Sequence, residues 1–142
     1  MLLLVEDNPA DAILMEEAMS GRGIDLVVVE GGNEACDYVC GRRPYQDAPR
    51  PDLIVLDLNL PDMSGKDVLA TVKSGVDTRT IPVVIFSSSR SQSDVVETYE
   101  LGANSYMQKP LELEAYRDVV HSLEKFWFSA AQLPPSAQWG TA

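Results

Sequence analysis

Apolar positions along the chain fall into short continuous runs, separated by stretches in which they recur every three or four residues. "LLLVED" opens the series, a brief apolar run that ends in two acids. "IDLVVVEGG", "DLIVLDLNLP" and "IPVVIFSSS" follow, and "NSYMQKP" is a shorter fifth run. Between the runs the period changes. In "NPADAILMEEAMSG", Ala12, Ile13, Met15 and Met19 stand at helical spacing, with Gly21 as the stop. "NEACDYVCG" predicts a short helix, and "SGKDVLATVKSG" a helix that turns Val68, Leu69 and Val72 inward. "SDVVETYELGA" predicts a helix capped by Ser93 and ended by Gly102, and "LEAYRDVVHSLEKFWF" predicts the last one. "RRPYQDAPRP" carries three prolines and reads as a loop.

Strand and helix thus alternate five times. Runs that are apolar throughout predict strands buried on both faces, and therefore a parallel sheet with helices on both sides. The expected fold is a single doubly wound (βα)5 domain of the α/β class over residues 1–128, with a five-stranded parallel sheet. Residues 129–142, rich in Pro, Ala, Ser and Gly, are expected to form a flexible C-terminal tail. A length of 142 residues suits one such core and is short for two.

Asp57 interrupts the third run, and an ionised carboxylate without a partner is costly to bury. The difficulty disappears if Asp57 lies where the strand opens onto a crevice, because ligands of open α/β sheets bind beyond the carboxyl ends of the strands. Glu6 and Asp7 end the first run, Ser87 the fourth and Lys109 the fifth. Three carboxylates converging there repel one another unless a cation joins them. Mg²⁺ prefers an octahedron of oxygens and keeps several waters, so it suits this set, and the backbone carbonyl of Asn59 is placed to complete it. An ammonium from Lys109 and a hydroxyl from Ser87 then make a pocket for a small anion with several oxygens. With Asp57 as nucleophile, that is a layout for phosphoryl transfer to an aspartate.

Charge narrows the partners. The formal net charge of -11, from 22 Asp plus Glu against 11 Lys plus Arg, disfavours nucleic acid or an anionic membrane as the primary partner. It fits a cation site or a basic protein partner. No apolar stretch approaches bilayer length, and "MLLLVEDNPA" lacks the basic flank and cleavage site of a signal peptide, so the expected location is cytoplasmic. Cys36 and Cys40 read as two half-buried thiols. A structural zinc site wants four ligands, the single histidine is the distant His121, and a disulfide between i and i+4 is geometrically awkward.

"VEDN", "LIVLDLNLPDMSG", "PVVIFSSS" and "ELGANSYMQKP", in that order and at that spacing, make the sequence similar to the receiver domains of two-component response regulators (CheY-like) over about residues 2–128. The length, the "NPAD" opening, the "RRPYQDAPRPD" loop and the "FWF" ending resemble most the small stand-alone regulators of phytochrome-type histidine kinases. The resemblance implies the flavodoxin-like strand order 2-1-3-4-5. It implies Asp57 as the phosphoacceptor and Mg²⁺ held by Glu6, Asp7, Asp57 and the Asn59 carbonyl. Lys109 would contact the phosphoryl oxygens, followed by Pro110 across a cis bond. Ser87 and Tyr106 would form the switch, Ser87 swinging toward the phosphoryl group and letting Tyr106 rotate inward. Ser87 stands where threonine is commoner and Glu6 where Asp is commoner, and neither departure argues against activity. The implied partner is a sensor histidine kinase. The chain would not be an enzyme with a free substrate; its catalysis would be limited to its own phosphorylation and dephosphorylation. No output domain is visible, so the expected output is a protein contact or phosphate shuttling.

Each feature also has a plainer reading. Glu6 and Asp7 alone suit a solvated pair, Asp57 a strand-terminal cap, and Tyr106 a half-buried strand aromatic; their joint placement with Ser87 and Lys109 favours function. Ser88 and Ser89 read as loop and helix-start residues, and His121 as a surface or interface residue. Phe126, Trp127 and Phe128 are consecutive and cannot all face one core from a helix. That predicts a contact surface and, with the resembling subgroup, a homodimer through the last helix and strand. Three rival functions are disfavoured, among them a degenerate receiver that only binds partners, since every site position is filled. A small Mg²⁺-dependent phosphohydrolase would want a second acid where Asn59 stands, and a nucleotide or flavin carrier would want a glycine-rich loop that is missing here.

Overall fold

A computed structural model describes residues 1–135; residues 136–142, half of the expected tail, lie outside the described residues. Five strands form one parallel sheet: β1 Leu2–Val5, β2 Leu26–Val29, β3 Leu53–Leu56, β4 Val83–Ser87 and β5 Ser105–Gln108. Their order is β2-β1-β3-β4-β5, so the chain reverses direction across the sheet between β1 and β3. Five helices alternate with them: α1 Pro9–Ser20, α2 Gly32–Val39, α3 Gly65–Ser74, α4 Gln92–Glu100 and α5 Leu113–Lys125. The expected doubly wound (βα)5 architecture is the observed one.

The unbroken apolar runs serve two cores at once. Leu2, Leu4, Leu53 and Val55 pack on one face against Met15 and Met19 of α1 and Val120 and Leu123 of α5. Leu3, Val5, Ile54 and Leu56 pack on the other against Ala35 and Val39 of α2 and Val68, Leu69 and Val72 of α3. Alternation along a strand sends neighbours to opposite faces, so a strand covered on both sides has no polar face left. β1 is clamped by register on both edges, with Leu2–Val5 opposite Leu26–Val29 on one side and Leu53–Leu56 on the other.

Local chemistry starts and stops the helices. Asn8 caps α1, its Oδ1 accepting from the N–H of Ala10 (2.9 Å) and of Asp11 (3.4 Å), with Pro9 in the first turn. Ser64 caps α3 in the same way. Gly102 follows α4 at φ +101°, the left-handed conformation expected of it. Two expectations need correction. Ile13 is 53% exposed, because the inward stripe of α1 runs through Met15 and Met19 instead. The cap of α4 is Ser91 and not Ser93: the helix starts at Gln92, Ser91 accepts from the N–H of Asp94, and the Ser93 hydroxyl pairs with that of Ser91 at 2.8 Å. Cys36 is buried and Cys40 exposed, both as free thiols.

At its C-terminal end α5 widens into a π-turn over Phe126–Ala130, closed by the N–H of Ala131 donating to the Phe126 carbonyl at 2.7 Å. Trp127 and Phe128 pack onto the α1/α5 core, whereas Phe126 is 54% exposed and meets the Trp127 ring edge-on at 5.1 Å. The Arg50 guanidinium, buried behind β3, donates to Thr80 Oγ1 (2.8 Å) and to the Pro135 carbonyl (3.4 Å). Among the described residues no helix is long and apolar enough to cross a membrane.

Candidate functional site

The carboxyl ends of β1, β3, β4 and β5 surround a crevice of about 720 Å³. Backbone pairing places each side chain there. The N–H of Glu6 donates to the Val29 carbonyl, that of Asp57 to the Val5 carbonyl (3.1 Å), and that of Lys109 to the Ser87 carbonyl (2.8 Å), so all three stand one step beyond their strands. The loop after Asp57 is folded tightly back on itself. Gly65 donates to the Leu58 carbonyl at 2.8 Å, and a Cβ on Gly65 would lie 2.2 Å from the Asp57 carbonyl oxygen, so only glycine fits. Asn59 and Ser64 close the loop with an antiparallel bridge.

Asp57 sits at the floor, 7% exposed. Its Oδ1 accepts from the Asn59 N–H at 3.3 Å and its Oδ2 from the Lys109 ammonium at 3.1 Å. Lys109 also donates to Glu6 Oε1 (2.5 Å) and Asp11 Oδ2 (2.9 Å), and its nitrogen lies 5.8 Å from the centre of the Phe86 ring. Glu6 is buried and Asp7 exposed, and one oxygen from each of Glu6, Asp7 and Asp57 lies within 4.8 Å of the others. Three hard oxygen donors at that spacing, open to solvent on the Asp7 side, fit a divalent cation such as Mg²⁺ or Mn²⁺.

Electrostatics record the crowding. Burial pushes Glu6 up to about 7, further than the Lys109 ammonium draws it down, and the Asp57 charge adds to the rise. Burial acting on Lys109 would lower it, yet hydrogen bonds to Glu6 and Asp11 and the Asp57 charge raise it above the ordinary lysine range. The ammonium therefore stays charged wherever the carboxylates do.

Residues 2–121 match the response regulator receiver domain family. The chain belongs to that family. Response regulator Rcp1 of Synechocystis sp. is 38% identical over 136 residues, which cover 94% of this chain and 92% of Rcp1. The phosphorylated cyanobacterial phytochrome response regulator RcpA has a similar structure, with a TM-score of 0.92 at 41% identity over 94% of this chain and 97% of that one. The Mn²⁺-bound form of Rcp1 follows at 0.91, with 38% identity over 94% of this chain and 98% of that one.

Against this receiver-domain frame, the fold brings Glu6, Asp7, Asp57, Asn59 and Lys109 to one crevice. Ser87 stands at its back, fully buried, with its Oγ accepting from the Ser89 N–H at 3.1 Å; the exposed Ser88 lines the opening instead. The Tyr106 phenol donates to the Ser89 carbonyl at 3.0 Å. Ser87 and Tyr106 thus meet through one residue, Ser89, whose own hydroxyl donates to Asp94 at 2.6 Å. The Lys109–Pro110 peptide is trans, against expectation; the cis X–Pro bond among the described residues is Arg43–Pro44. Trans is the preferred isomer by about 0.5–1 kcal/mol, and Lys109 reaches all three carboxylates in it.

Three participants escape sequence reading. Asp11 is the third carboxylate on Lys109. Tyr116, 5% exposed on α5, presents its phenol to Asp11; burial first, and then the Asp11 carboxylate, raise its pKa. Asp62 accepts from the N–H groups of Gly32 and Asn33, both at 2.8 Å, and those bonds hold its carboxyl below the usual range. It supplies from the β3–α3 loop the cap that Gly31 cannot give α2. The "NPAD" spacing placed Asp11 on the first turn beside Glu6, which was the available signal.

Proposed function

We propose that this receiver domain takes a phosphoryl group from a sensor histidine kinase, of the phytochrome type, onto Asp57, and signals through protein contacts in the cytoplasm. The observation that carries the reading is the Asp57 carboxylate at the floor of the crevice, touched by Lys109 and faced by Glu6 and Asp7. One Asp57 oxygen attacks phosphorus as the bond from phosphorus to the donor's imidazole nitrogen breaks, and the electron pair returns to that ring. Glu6, Asp7, Asp57 and the Asn59 carbonyl would hold Mg²⁺, which when bound neutralises the carboxylates and the phosphoryl oxygens. Lys109 trades its Asp57 contact for a phosphoryl oxygen. The Ser87 hydroxyl is positioned to do the same, which would pull on Ser89 and so on Tyr106. Water attacking phosphorus breaks its bond to the Asp57 oxygen, the electron pair stays on the carboxylate, and inorganic phosphate leaves. These steps make the chain a phosphoacceptor and not an enzyme with a free substrate.

Intact mass after incubation with acetyl phosphate tests it. A gain of about 80 Da that requires Mg²⁺ and is lost in Asp57→Asn is the expected result. No gain under any condition leaves a receiver-shaped binding module. Exposed Phe126 beside Trp127, next to a groove that Met107 and Leu123 also line, supports a homodimer through the last helix and strand. Sedimentation velocity should find the native chain heavier than Phe126→Ser, and equal masses would remove that reading.

A further inference from the structure

The three N–H donors of the Lys109 ammonium are all taken by carboxylates: Glu6, Asp11 and Asp57. Two of those partners change during the proposed reaction. Asp57 becomes an acyl phosphate, and Glu6 belongs to the cation set. Asp11 is neither the proposed acceptor nor a member of the cation set. Its backbone is anchored, the N–H held by the Asn8 cap in the first turn of α1, and the Tyr116 phenol of α5 lies near enough for the Asp11 charge to raise its pKa. Tyr116 is itself fixed, packed at 5.2 Å on the same Phe86 ring that lies beneath the ammonium.

We propose that Asp11, fixed in the first turn of α1, is the positioning residue that keeps the Lys109 ammonium aimed at the transferring phosphoryl group. The inference rests on Asp57 as the acceptor. As the Asp57 oxygen bonds to phosphorus and the donor nitrogen departs with its electron pair, negative charge gathers on the phosphoryl oxygens. An ammonium restrained on one side by Asp11 meets that charge without first having to reorient. Without Asp11 the ammonium settles on Glu6 and Asp57 in the ground state, and leaving them slows the step.

Two readouts on the full chain test this. The first is the ¹⁵N-labelled Lys109 ammonium resonance, assigned by its loss in Lys109→Met, which is protected from exchange only while the group is held. The second is the rate of phosphorylation by phosphoramidate with Mg²⁺, followed by intact mass. Asp11→Asn should shift the resonance and weaken its protection, the ammonium then resting on Glu6 and Asp57 alone, and slow phosphorylation about 10-fold. Asp11→Glu should restore both in part. Native rates in Asp11→Asn overturn the proposal whatever the resonance does. A native chain that takes no phosphoryl group defeats the reading of Asp57, while the resonance in Asp11→Asn still reports whether Asp11 holds Lys109.

Discussion

Lys66 and Lys109 each grip more than one carboxylate, but under opposite conditions. Lys66, on α3, bridges to Asp94 and Glu97 of α4 with its side chain 26% exposed and its partners 27% and 53% exposed. The Lys109 side chain is 9% exposed, with the side chains of Glu6 at 3% and Asp57 at 9%. The surface cluster is simple: hydrogen bonds to Asp94 and then Glu97 raise Lys66 to about 12, and its partner Asp94 is lowered. The buried cluster is conflicted. Lys109 is raised, yet Glu6, in contact with it, is raised as well, because burial costs its charge more than the shared ammonium returns and the Asp57 charge adds to the rise. Ion pairs of the same composition therefore do different things. On the surface they join two helices at little cost, whereas in the crevice they hold charge that a cation and a phosphoryl group can later rearrange.

Removing each lysine should expose the difference. Lys109→Met leaves three carboxylates facing one another, so at pH 8 without Mg²⁺ the chain should lose roughly 3–5 kcal/mol in urea unfolding. Added Mg²⁺ should recover part of that loss, since Glu6, Asp7 and Asp57 still form the cation set. A loss as small as that of the Lys66 variant would break the comparison.

Acid titration sharpens it next. Glu6 has an ordinary value of 4.5 and a folded value of about 7, so between those limits the folded chain binds more protons than the unfolded one. Stability must then fall as pH rises through that window and level off above it, by up to about 3 kcal/mol. Urea midpoints taken between pH 5.5 and 7.5 should decline for the native chain and stay flatter for Glu6→Gln. Parallel curves would mean that Glu6 is ionised throughout, with Lys109 fully compensating it.

The charged floor of the crevice is legible in the sequence because the strand period fixes it. An acid that follows four buried apolar residues must emerge at a strand end, which locates Asp57 and Glu6, whereas Lys109 follows the half-buried β5 and is placed by its position just past that strand. What lies between elements is not legible. Asp62 capping α2 depends on the β3–α3 loop crossing the start of another helix, 30 residues away in sequence. Tyr116 reaching Asp11 depends on how α5 packs against α1, and nothing in the apolar stripe of α5 separates Tyr116 from an ordinary core aromatic. Ser91 and Ser93 compete for one cap, and the geometry of the loop, not residue type, decides between them. Ser89 escaped for a related reason, since its backbone N–H and carbonyl, and not its hydroxyl, make the link between Ser87 and Tyr106.

Lys66→Met gives the smallest expected effect and the cleanest control. Its ammonium lies in solvent between α3 and α4, where water and salt screen both partners and long side chains lose rotamer freedom on pairing. Loss of the charge should lower the thermal midpoint by about 2 °C or less. The difference should vanish at 1 M NaCl, where the screening length is about 3 Å. Asp94 keeps its bond from Ser89 in the variant, so the joint between Ser87 and Tyr106 survives and phosphorylation should proceed at the native rate. The informative surprise would be a slowed rate with an unchanged midpoint. Lys66 could then act only by holding Asp94, and through it Ser89, and the surface cluster would prove coupled to the crevice that it otherwise contrasts with.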